Sequence, residues 1–266
     1  MLIIQPIGGL CNRMRSINSA YKLAKLRKER LIVIWFHNEE LGCSFESIFI
    51  PNPNIHLINI SSKFDIRKIF YQIISQNIGN DDIRSNRTGC VLNETFRSSL
   101  KKRCYIATEE HFYPADSYEL FRPLPELQRK IDAIISLFSS YTVGVHIRRT
   151  DNLPSIGKSS TTAFVSAMLK ELENNPNTFF YVASDDESEE SNLRNLFPDR
   201  ILTNSNKELS RGSLQGMQDA VIDLYCLAAT NKIIGSFYSS FTDIAADMNQ
   251  TPKMIAGFDK TGGNYL

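Results

Sequence analysis

The chain has 266 residues, 42% hydrophobic and 22% charged, a composition typical of a globular protein rather than a disordered chain or a coiled coil. Thirty Lys and Arg against 29 Asp and Glu leave a net charge of +1, which excludes the overall basic field of a non-specific DNA-binding protein. Residues 1–122 nevertheless hold 17 basic and 12 acidic residues (+5), and residues 123–266 hold 13 and 17 (−4). The basic first half is compatible with an anionic ligand or surface, although such a modest excess is more often ordinary solvated charge.

The cysteines and the apolar segments point to a reduced, cytoplasmic protein. The five cysteines are scattered, with no C-x-x-C pair and no nearby histidine, so neither a disulfide framework nor a zinc site is expected. The first residues lack the basic start and apolar core of a signal peptide. No stretch approaches the ~20 apolar residues that cross a bilayer.

The first half opens with a strand–helix–strand pattern. An apolar strand, Leu2–Ile4, precedes a glycine pair, Gly8 and Gly9, and a helix-like stretch from about residue 12 to residue 30 with apolar residues at three- and four-residue steps. The apolar run Leu31–Trp35 then has the length of a strand. This order predicts a βαβ unit with a parallel sheet.

Two weakly patterned segments interrupt the chain. Residues 76–103 are polar and broken, which predicts a long loop or a poorly ordered insertion. Phe121–Glu126 contains two prolines and is the best candidate for a linker. We therefore expect two domains, 1–122 and 123–266.

The second half alternates strands and helices more regularly, which predicts a second doubly wound α/β unit. The predicted strands are Tyr141–Ile147, Phe179–Ala183, Arg200–Thr203 and Lys232–Ser236. The predicted helices are Thr162–Glu173, Glu187–Leu196, Met217–Ala229 and one from about Ser240. Ligands of such sheets bind beyond the carboxyl ends of the strands. The polar clusters found there are His146–Asp151, Ser184–Asp186, Ser236–Phe241 and, after the first strand, the glycine pair.

Arg148 and Arg149 directly follow a predicted strand. A guanidinium makes paired, charge-assisted hydrogen bonds to phosphate and stays charged at any cellular pH. An ion pair with Asp151 is the structural alternative. Because adjacent side chains point in different directions, one arginine can bind a ligand while the other braces the loop, and the position at a strand end favours ligand binding.

The other clusters carry weaker signals. Ser239 and Ser240 precede an apparent helix, where hydroxyl and N–H groups form either an anion site or a plain helix cap. Asp185 and its neighbour Asp186 could hold a ribose or a metal, but capping of the next helix is slightly favoured. Asp223 shares a helical face with a second aspartate, which usually means solvated charge.

Two features argue against a phosphate-binding loop at Gly157-Lys158-Ser159. The pattern G-x-x-x-x-G-K-S requires a glycine five positions earlier, and Asn152 stands there. Pro154 also removes an N–H group that such a loop would use.

Four segments together resemble the fucosyltransferase superfamily that includes bacterial α-1,2- and α-1,6-fucosyltransferases and protein O-fucosyltransferases. The His-x-Arg-Arg-x-Asp segment is the most specific of them, and their order and spacing agree over most of the chain. The segments are Gly8–Arg13, His146–Asp151, Tyr181–Asp186 and Asp223 with Ile233–Phe241.

The resemblance implies a GT-B fold, with two Rossmann-like domains and the donor site in the cleft between them. The C-terminal domain would hold GDP-fucose, and the N-terminal domain would face the acceptor. Arg148 would contact the β-phosphate of the donor and Arg149 would support activity. The remaining donor-binding candidates are Gly9, Asn12, His146, Asp185, Asp223, Ser239 and Ser240.

The sequence also departs from the family. Cys11 replaces the usual glycine before the asparagine, and residues 152–170 lack the glutamate that some relatives carry as a base. Asp151 is the nearest carboxylate and the catalytic candidate for that role. No D-x-D motif of metal-dependent glycosyltransferases is present, so no metal and no cofactor besides the donor is expected.

The sequence therefore predicts an inverting, metal-independent fucosyltransferase acting on a glycan hydroxyl, such as that of a bacterial surface-polysaccharide or lipopolysaccharide intermediate. The basic stretch Lys22–Arg30 could face a lipid-linked acceptor, which would make the protein peripheral to the inner face of the membrane. Two alternatives remain: an ATP- and Mg²⁺-dependent phosphotransferase built on Gly157–Ser159, and a non-catalytic nucleotide-sugar-binding protein.

Overall fold

The computed structural model describes residues 1–150 and 153–258. Asp151 lies outside the described residues. The chain forms two compact units. The first unit contains Met1–Leu124 and a later segment, Ser210–Met217, which we call the return segment. The second contains Pro125–Leu209 and the described residues from Gln218 to Phe258.

The first unit is built on a five-stranded parallel sheet with the strand order β3-β2-β1-β7-β4. The strands of this unit are β1 (Leu2–Pro6), β2 (Leu31–Phe36), β3 (Ile55–Ile60), β4 (Gln76–Ile78), β5 (Arg87–Thr88), β6 (Val91–Leu92) and β7 (Cys104–Thr108), with β5 and β6 forming a separate antiparallel pair. The helices are α1 (Leu10–Arg27), α2 (Ile66–Ile73), α3 (Asn80–Ser85) and α4 (Glu94–Ser99), with short 3₁₀ turns at Phe45–Ser47 and Glu119–Phe121.

Apolar strands form the centre of this unit. All residues of β1 and nearly all of β2 are buried, as expected for parallel strands that are covered on both faces. α1 ends at Lys28, which has the left-handed conformation (φ 51°), and basic residues in its last turn complement the helix dipole. These elements confirm the predicted βαβ start.

The prediction for residues 76–103 was wrong. This segment contains β4, the β5–β6 pair, α3 and α4 rather than one long loop. Ile78 and Ile83 are buried, and the Asn93 side chain caps α4 by accepting from the backbone N–H of Phe96 at 2.8 Å. Elements of two to six residues are too short to show a hydrophobic period, so tertiary contacts define them.

The second unit has its own five-stranded parallel sheet, in the order β10-β9-β8-β11-β12. Its strands are β8 (Thr142–Ile147), β9 (Phe179–Ser184), β10 (Ile201–Leu202), β11 (Lys232–Gly235) and β12 (Lys253–Ile255). The remaining helices are α5 (Pro125–Ile135), α6 (Leu153–Lys158), α7 (Thr161–Asn174), α8 (Glu187–Leu196), α9 (Leu214–Ala228), which starts in the return segment, and α10 (Ser240–Asn249).

The alternation predicted for the second half is confirmed, with two differences. Helix α5 begins inside the predicted linker, with Pro125 in its first turn, where a proline loses no hydrogen bond. Neither α6 nor β12 was predicted. The core lies around β8, whose residues are all buried.

The return segment packs within the first unit. The backbone N–H of Gly42 donates to the carbonyl oxygen of Arg211 at 2.8 Å. A Cβ on Gly42 would lie 2.1 Å from the carbonyl oxygen of Gly212, so the two backbones meet where a side chain has no room. Across residues 1–150 and 153–258, no helix combines the length and the hydrophobicity needed to cross a bilayer.

Candidate functional site

The polar clusters predicted in the second unit lie side by side. β9, β8 and β11 are neighbouring parallel strands, followed directly by Asp185, Arg148 and Ser236, respectively. The backbone N–H of Arg148 donates to Oγ of Ser236 at 2.9 Å, and that hydroxyl donates to the carbonyl oxygen of His146 at 3.2 Å. Together the strand ends form one polar edge. We call it the site edge; it comprises His146–Arg149, Ser184–Asp186 and Ser236–Ser240.

Arg148 lies at the centre of the site edge and has a partly exposed side chain. Its side chain is 18% exposed, and Nε lies 3.2 Å from Oδ2 of Asp185. The ion pair orients the guanidinium, and the side chain keeps a solvent-exposed part. Such a group can make charge-assisted hydrogen bonds to a phosphate.

Arg149 instead braces the loop. Its Nε donates to Oε1 of Glu189 at 2.6 Å, Nη1 donates to the carbonyl oxygen of Ser159 at 2.9 Å, and Nη2 donates to Oγ1 of Thr161 at 3.2 Å. Its guanidinium carbon also lies 5.7 Å from the ring centre of Phe164. These contacts hold the loop in place, which is one of the two roles that the sequence left open for the adjacent arginines.

The two aspartates after β9 have structural roles. Asp185 accepts from the backbone N–H of Arg149 and from the hydroxyl of Thr150, both at 2.7 Å, in addition to its ion pair with Arg148. It therefore holds the arginine loop in place. Asp186 caps α8 by accepting from the backbone N–H of Ser188 at 2.8 Å, which is the alternative that the sequence favoured.

His146 is a buried, neutral imidazole within the site edge. Its Nδ1 lies 2.8 Å from Oγ1 of Thr242, and its ring stacks on Phe241 with 4.8 Å between ring centres. Burial, with a smaller contribution from the charge of Arg148, lowers its pKa from 6.5 to about 3. The imidazole therefore supplies hydrogen-bonding and packing groups but no charge at cellular pH.

The N-terminus of α10 offers backbone donors at the same edge. Ser239 is the N-cap residue, and among the described residues its side chain makes no capping hydrogen bond. The first-turn N–H groups of a helix carry positive partial charge and bind anions. Tyr238, which the sequence did not single out, precedes them with a φ of 52° and 67% exposure. A tyrosine in this left-handed conformation is rare outside functional loops.

Asp223 lies in a buried network rather than at the surface. Its carboxylate accepts from the Tyr181 hydroxyl at 2.6 Å and from Nζ of Lys207 at 2.8 Å, and Lys207 also pairs with Glu190 at 2.5 Å. Burial opposes the charge of Lys207, but the two carboxylates outweigh it and raise its pKa. Asp223 thus links α9 to β9 through the Tyr181 hydroxyl. The expectation of solvated charge was wrong, because the carboxylate is buried. Lys207 escaped the sequence analysis because it lies in an irregular stretch without a motif.

The glycine turn of the first unit is held by Arg13. Gly8 has a φ of 78° and its carbonyl oxygen accepts from Nε of Arg13 at 2.7 Å, while Gly9 precedes the first turn of α1. Nδ2 of Asn12 donates to Oε2 of Glu109 at 3.1 Å. The structure therefore places Gly9 and Asn12 at the N-terminus of a helix, beside the ends of β1 and β7.

Arg211 of the return segment adds a cation to the glycine turn. Its Nη1 would lie 3.9 Å from a Cβ on Gly9, so its guanidinium approaches the start of α1. No motif marks this arginine in the sequence, since it is distant in the chain and lies in an irregular stretch.

The structure also bears on the phosphate-loop alternative and on metals. Lys158 ends α6 rather than beginning a helix, and the Ser159 hydroxyl is buried between the carbonyl oxygen of Ala256 and the N–H of Phe237. A phosphate loop needs both side chains at the start of a helix and facing the ligand. In the part of the chain that the structure describes, no group of three His, Cys, Asp or Glu side chains is placed to hold a metal ion.

A scan against protein-family models and a search of curated proteins found no match. Solved structures do match. NodZ α-1,6-fucosyltransferase soaked with GDP-fucose gives a TM-score of 0.66 over 97% of this chain and 94% of that one, at 16% identity. An Arabidopsis thaliana FUT1 mutant in complex with GDP gives 0.60 over 96% and 69%, at 14% identity. The apo-form of POFUT1 gives 0.59 over 97% and 98%, at 11% identity.

The chain has the GT-B fold of these fucosyltransferases. The predicted fold class is thereby confirmed, since each unit of the GT-B chain is a doubly wound, Rossmann-like α/β layer structure with a parallel sheet. At these identities the likeness concerns the fold. The chemistry of this GT-B protein depends on its own site residues, because one fold can support different activities.

Proposed function

We propose that this chain is an inverting fucosyltransferase that transfers fucose from GDP-fucose to a hydroxyl group of a glycan. The observation that carries the proposal is the pairing, on neighbouring strand ends, of a partly exposed Arg148 with an uncapped helix N-terminus at Ser239 and Ser240. Both groups bind phosphate oxygens. The fold is shared with fucosyltransferase structures that were soaked with GDP-fucose or solved in complex with GDP, which supports a GDP donor.

The proposed site accounts for the chemistry of transfer. The acceptor oxygen forms a bond to the anomeric carbon of fucose, while the bond from that carbon to the β-phosphate oxygen breaks and GDP leaves. The transition state carries positive charge on the sugar and growing negative charge on the diphosphate. The Arg148 guanidinium and the N–H groups of α10 stabilise that negative charge, and Arg149 holds the loop in position.

The proton of the acceptor hydroxyl requires a base. Asp151, the carboxylate nearest to the arginine pair in sequence, is the proposed base. His146 is buried within the site edge and its pKa is lowered, so we assign it a role in positioning the donor rather than in accepting the proton. We likewise propose that Gly9, Asn12 and Asp185 shape the donor site rather than take part in proton transfer.

The proposed acceptor is a surface-polysaccharide or lipopolysaccharide intermediate at the cytoplasmic face of a bacterial membrane. The first domain (1–122) would face the acceptor, and the second (123–266) would hold the nucleotide sugar. A lipid-linked acceptor would bring the protein to the membrane as a peripheral protein, without a metal ion in the reaction.

Thermal denaturation with nucleotides tests the donor. We would compare GDP, GDP-fucose, GDP-mannose, UDP, ADP and ATP, each with and without Mg²⁺, on the wild type and on Arg148→Ala. A ligand at a hundred times its dissociation constant stabilises by about 2.7 kcal/mol, a shift of several degrees. We expect a shift with the GDP compounds alone, indifferent to Mg²⁺ and lost in Arg148→Ala but retained in the control Arg129→Ala, an exposed arginine of α5.

The two alternatives give different results in that experiment. A rise in the denaturation temperature with ATP and Mg²⁺ alone would contradict the fucosyltransferase proposal and support the phosphotransferase. Binding of GDP-fucose with neither transfer to any acceptor nor slow hydrolysis of the donor would indicate a non-catalytic nucleotide-sugar-binding protein.

A further inference from the structure

Helix α2 presents its apolar face to solvent. Ile66, Ile69, Phe70 and Ile73 recur at the spacing of one helical face. Ile66 is 81% exposed and Ile73 is 77% exposed, and Phe64, just before the helix, is 83% exposed. Tyr71, on the opposite side, packs against the core cluster that covers the sheet of the first unit. The helix therefore directs Tyr71 toward the protein and Ile66, Ile69, Phe70 and Ile73 toward solvent.

This exposure differs from that of the other apolar residues at the surface. Leu137, Leu169 and Leu196 are also exposed, but they lie in three different segments of the second unit: after α5, in α7 and at the end of α8. Scattered single residues of this kind are normal on protein surfaces, whereas a contiguous exposed apolar patch marks an interaction site. The outward face of α2, comprising Phe64, Ile66, Ile69, Phe70 and Ile73, is such a patch.

Basic residues lie beside the start of the outward face. Lys63 precedes it and is exposed, and Lys68, in the helix, is half-buried with its Nζ donating to the carbonyl oxygen of Lys63 at 3.3 Å. Asp65 is the one acidic residue between residues 61 and 75, and Arg67 neutralises it through an ion pair of 2.7 Å. The surroundings of the helix start are thus basic overall.

The far end of the helix leads into a second basic group. The side chain of Gln76, which follows α2, accepts from the backbone N–H of Lys101 at 2.7 Å, and its backbone N–H donates to the carbonyl oxygen of Arg103 at 3.0 Å. Lys101, Lys102 and Arg103 are all exposed. An apolar face flanked by basic side chains is the pattern of a helix that lies in the interface of an anionic membrane.

We propose that the outward face of α2 binds the surface of an anionic lipid bilayer, with its apolar side chains inserted at the level of the headgroups and the lysines contacting the acidic lipids. A second copy of the chain fits this face less well. A symmetric contact would place the same lysines opposite one another, and like charges repel. The contact rests on the geometry of the first unit and is independent of the donor site.

The basic stretch Lys22–Arg30 offers a weaker membrane surface than the sequence suggested. Lys22 pairs with Asp116 at 2.6 Å, and Arg27 pairs with Glu29 at 3.0 Å. Two of its basic side chains are thus neutralised within the protein. The outward face of α2 combines exposed apolar groups with basic ones and replaces that stretch as the proposed membrane contact.

Co-sedimentation of the full chain with vesicles tests the proposal. The vesicles are phosphatidylcholine alone and phosphatidylcholine mixed with phosphatidylglycerol, each at low and high salt. We expect binding to the anionic vesicles that weakens with salt, and a loss of about tenfold or more in the partition coefficient for Phe64→Ser/Ile73→Ser. The control Leu137→Ser/Leu196→Ser removes exposed apolar residues from the second unit and should bind like the wild type.

A second variant tests the charges. Lys101→Glu/Lys102→Glu should lose about tenfold or more in binding to the anionic vesicles, and the control Lys130→Glu/Lys170→Glu, on exposed lysines of the second unit, should not. The stabilisation by GDP should be the same in all four variants, which shows that each is folded. It also separates a failure of the membrane contact from a failure of the donor site.

Three results would overturn the proposal. The first is absence of vesicle binding by the wild type. The second is equal binding to neutral and anionic vesicles at all salt concentrations, which would remove the role of the lysines. The third is a dimer in sedimentation equilibrium that Phe64→Ser/Ile73→Ser dissociates while vesicle binding is unchanged, which would make the face an interface between two copies.

Discussion

Arg149 donates a hydrogen bond from Nη1 to the carbonyl oxygen of Arg148 at 3.1 Å, so that one arginine of the pair holds the backbone of the other. The order of residues alone does not reveal this asymmetry. It follows from the surroundings: Glu189 and Ser159 surround the guanidinium of Arg149, whereas that of Arg148 lies beside Asp185 at the accessible edge. The two residues should therefore respond differently to mutation.

Replacing Arg149 should mainly reduce stability. In Arg149→Met the buried carboxylate of Glu189 loses its ion pair, and removing one partner of such a pair costs about 3–5 kcal/mol of unfolding free energy. Urea denaturation measures the loss, and adding Glu189→Gln should recover part of it. Arg148→Met should lose less, because Asp185 keeps its hydrogen bond from the backbone N–H of Arg149. Equal losses in the two single variants would contradict this division of roles.

Replacing Ser239 should affect ligand binding more than folding. Ser160 caps α7 by accepting from the backbone N–H of Ala163 at 3.2 Å, so Ser160→Ala should cost about 1 kcal/mol of stability. Ser239→Ala should cost less, because within the described residues that side chain makes no capping bond. The measured quantities are the unfolding free energy and the dissociation constant for GDP. A weaker GDP affinity in Ser239→Ala alone is the expected result, and the reverse order of stabilities would argue for a plain helix cap.

Gly235 should not tolerate a methyl group. A Cβ there would lie 2.1 Å from Cγ2 of Thr242, the residue whose hydroxyl meets His146. Gly235→Ala should therefore displace Thr242, lower the unfolding free energy by about 1–3 kcal/mol and weaken GDP binding. Gly157, in α6, has ample room for a Cβ among the described residues, so the control Gly157→Ala should be neutral or stabilising by about 0.5–1 kcal/mol. Calorimetry and GDP titration check both variants.

The buried His146 should make stability depend on pH. The unfolded chain binds a proton on this imidazole near pH 6.5, but the folded chain does so at about pH 3. Between these values the unfolded state holds more protons, so the unfolding free energy falls as the pH falls, by up to about 1.4 kcal/mol per pH unit. Above pH 6.5 His146 contributes nothing to the slope.

The variant His146→Gln isolates this contribution. Its unfolding free energy should decline less steeply than that of the wild type between pH 6.5 and 3. His56, exposed on β3, provides the control, and His56→Gln should keep the wild-type slope. Parallel curves for wild type and His146→Gln would show that the imidazole is protonated in the folded protein.

The features that were predicted correctly are each marked by a pattern of residues close together in the chain. β2 and β8 are continuous apolar runs, and polar residues following them must lie at the carboxyl end of a parallel sheet. The parallel α/β character of both halves and the location of Arg148 follow from that rule, whereas the GT-B prediction depends on the family resemblance. A helix cap such as Asp186 is equally local, since its partner is two residues away.

What sequence reasoning missed depends on partners distant in the chain. Lys207 meets Glu190 and Asp223 only after the sheet has formed, so nothing near any of the three marks the network. The short elements between residues 76 and 103 likewise take their conformation from contacts. The apolar spacing in α2 was visible in the sequence, but periodicity tells which residues share a face and not whether that face is buried.

The return segment has a consequence for the order of synthesis. Since Gly42 meets Arg211 and Gly212 directly, the first unit lacks part of its own chain until residue 217 has left the ribosome. By then Pro125–Leu209, most of the second unit, has already emerged. Domains commonly mature in the order in which they are translated. Here the amino-terminal unit is completed late. A fragment truncated at Leu124 would lack the return segment that packs against Gly42.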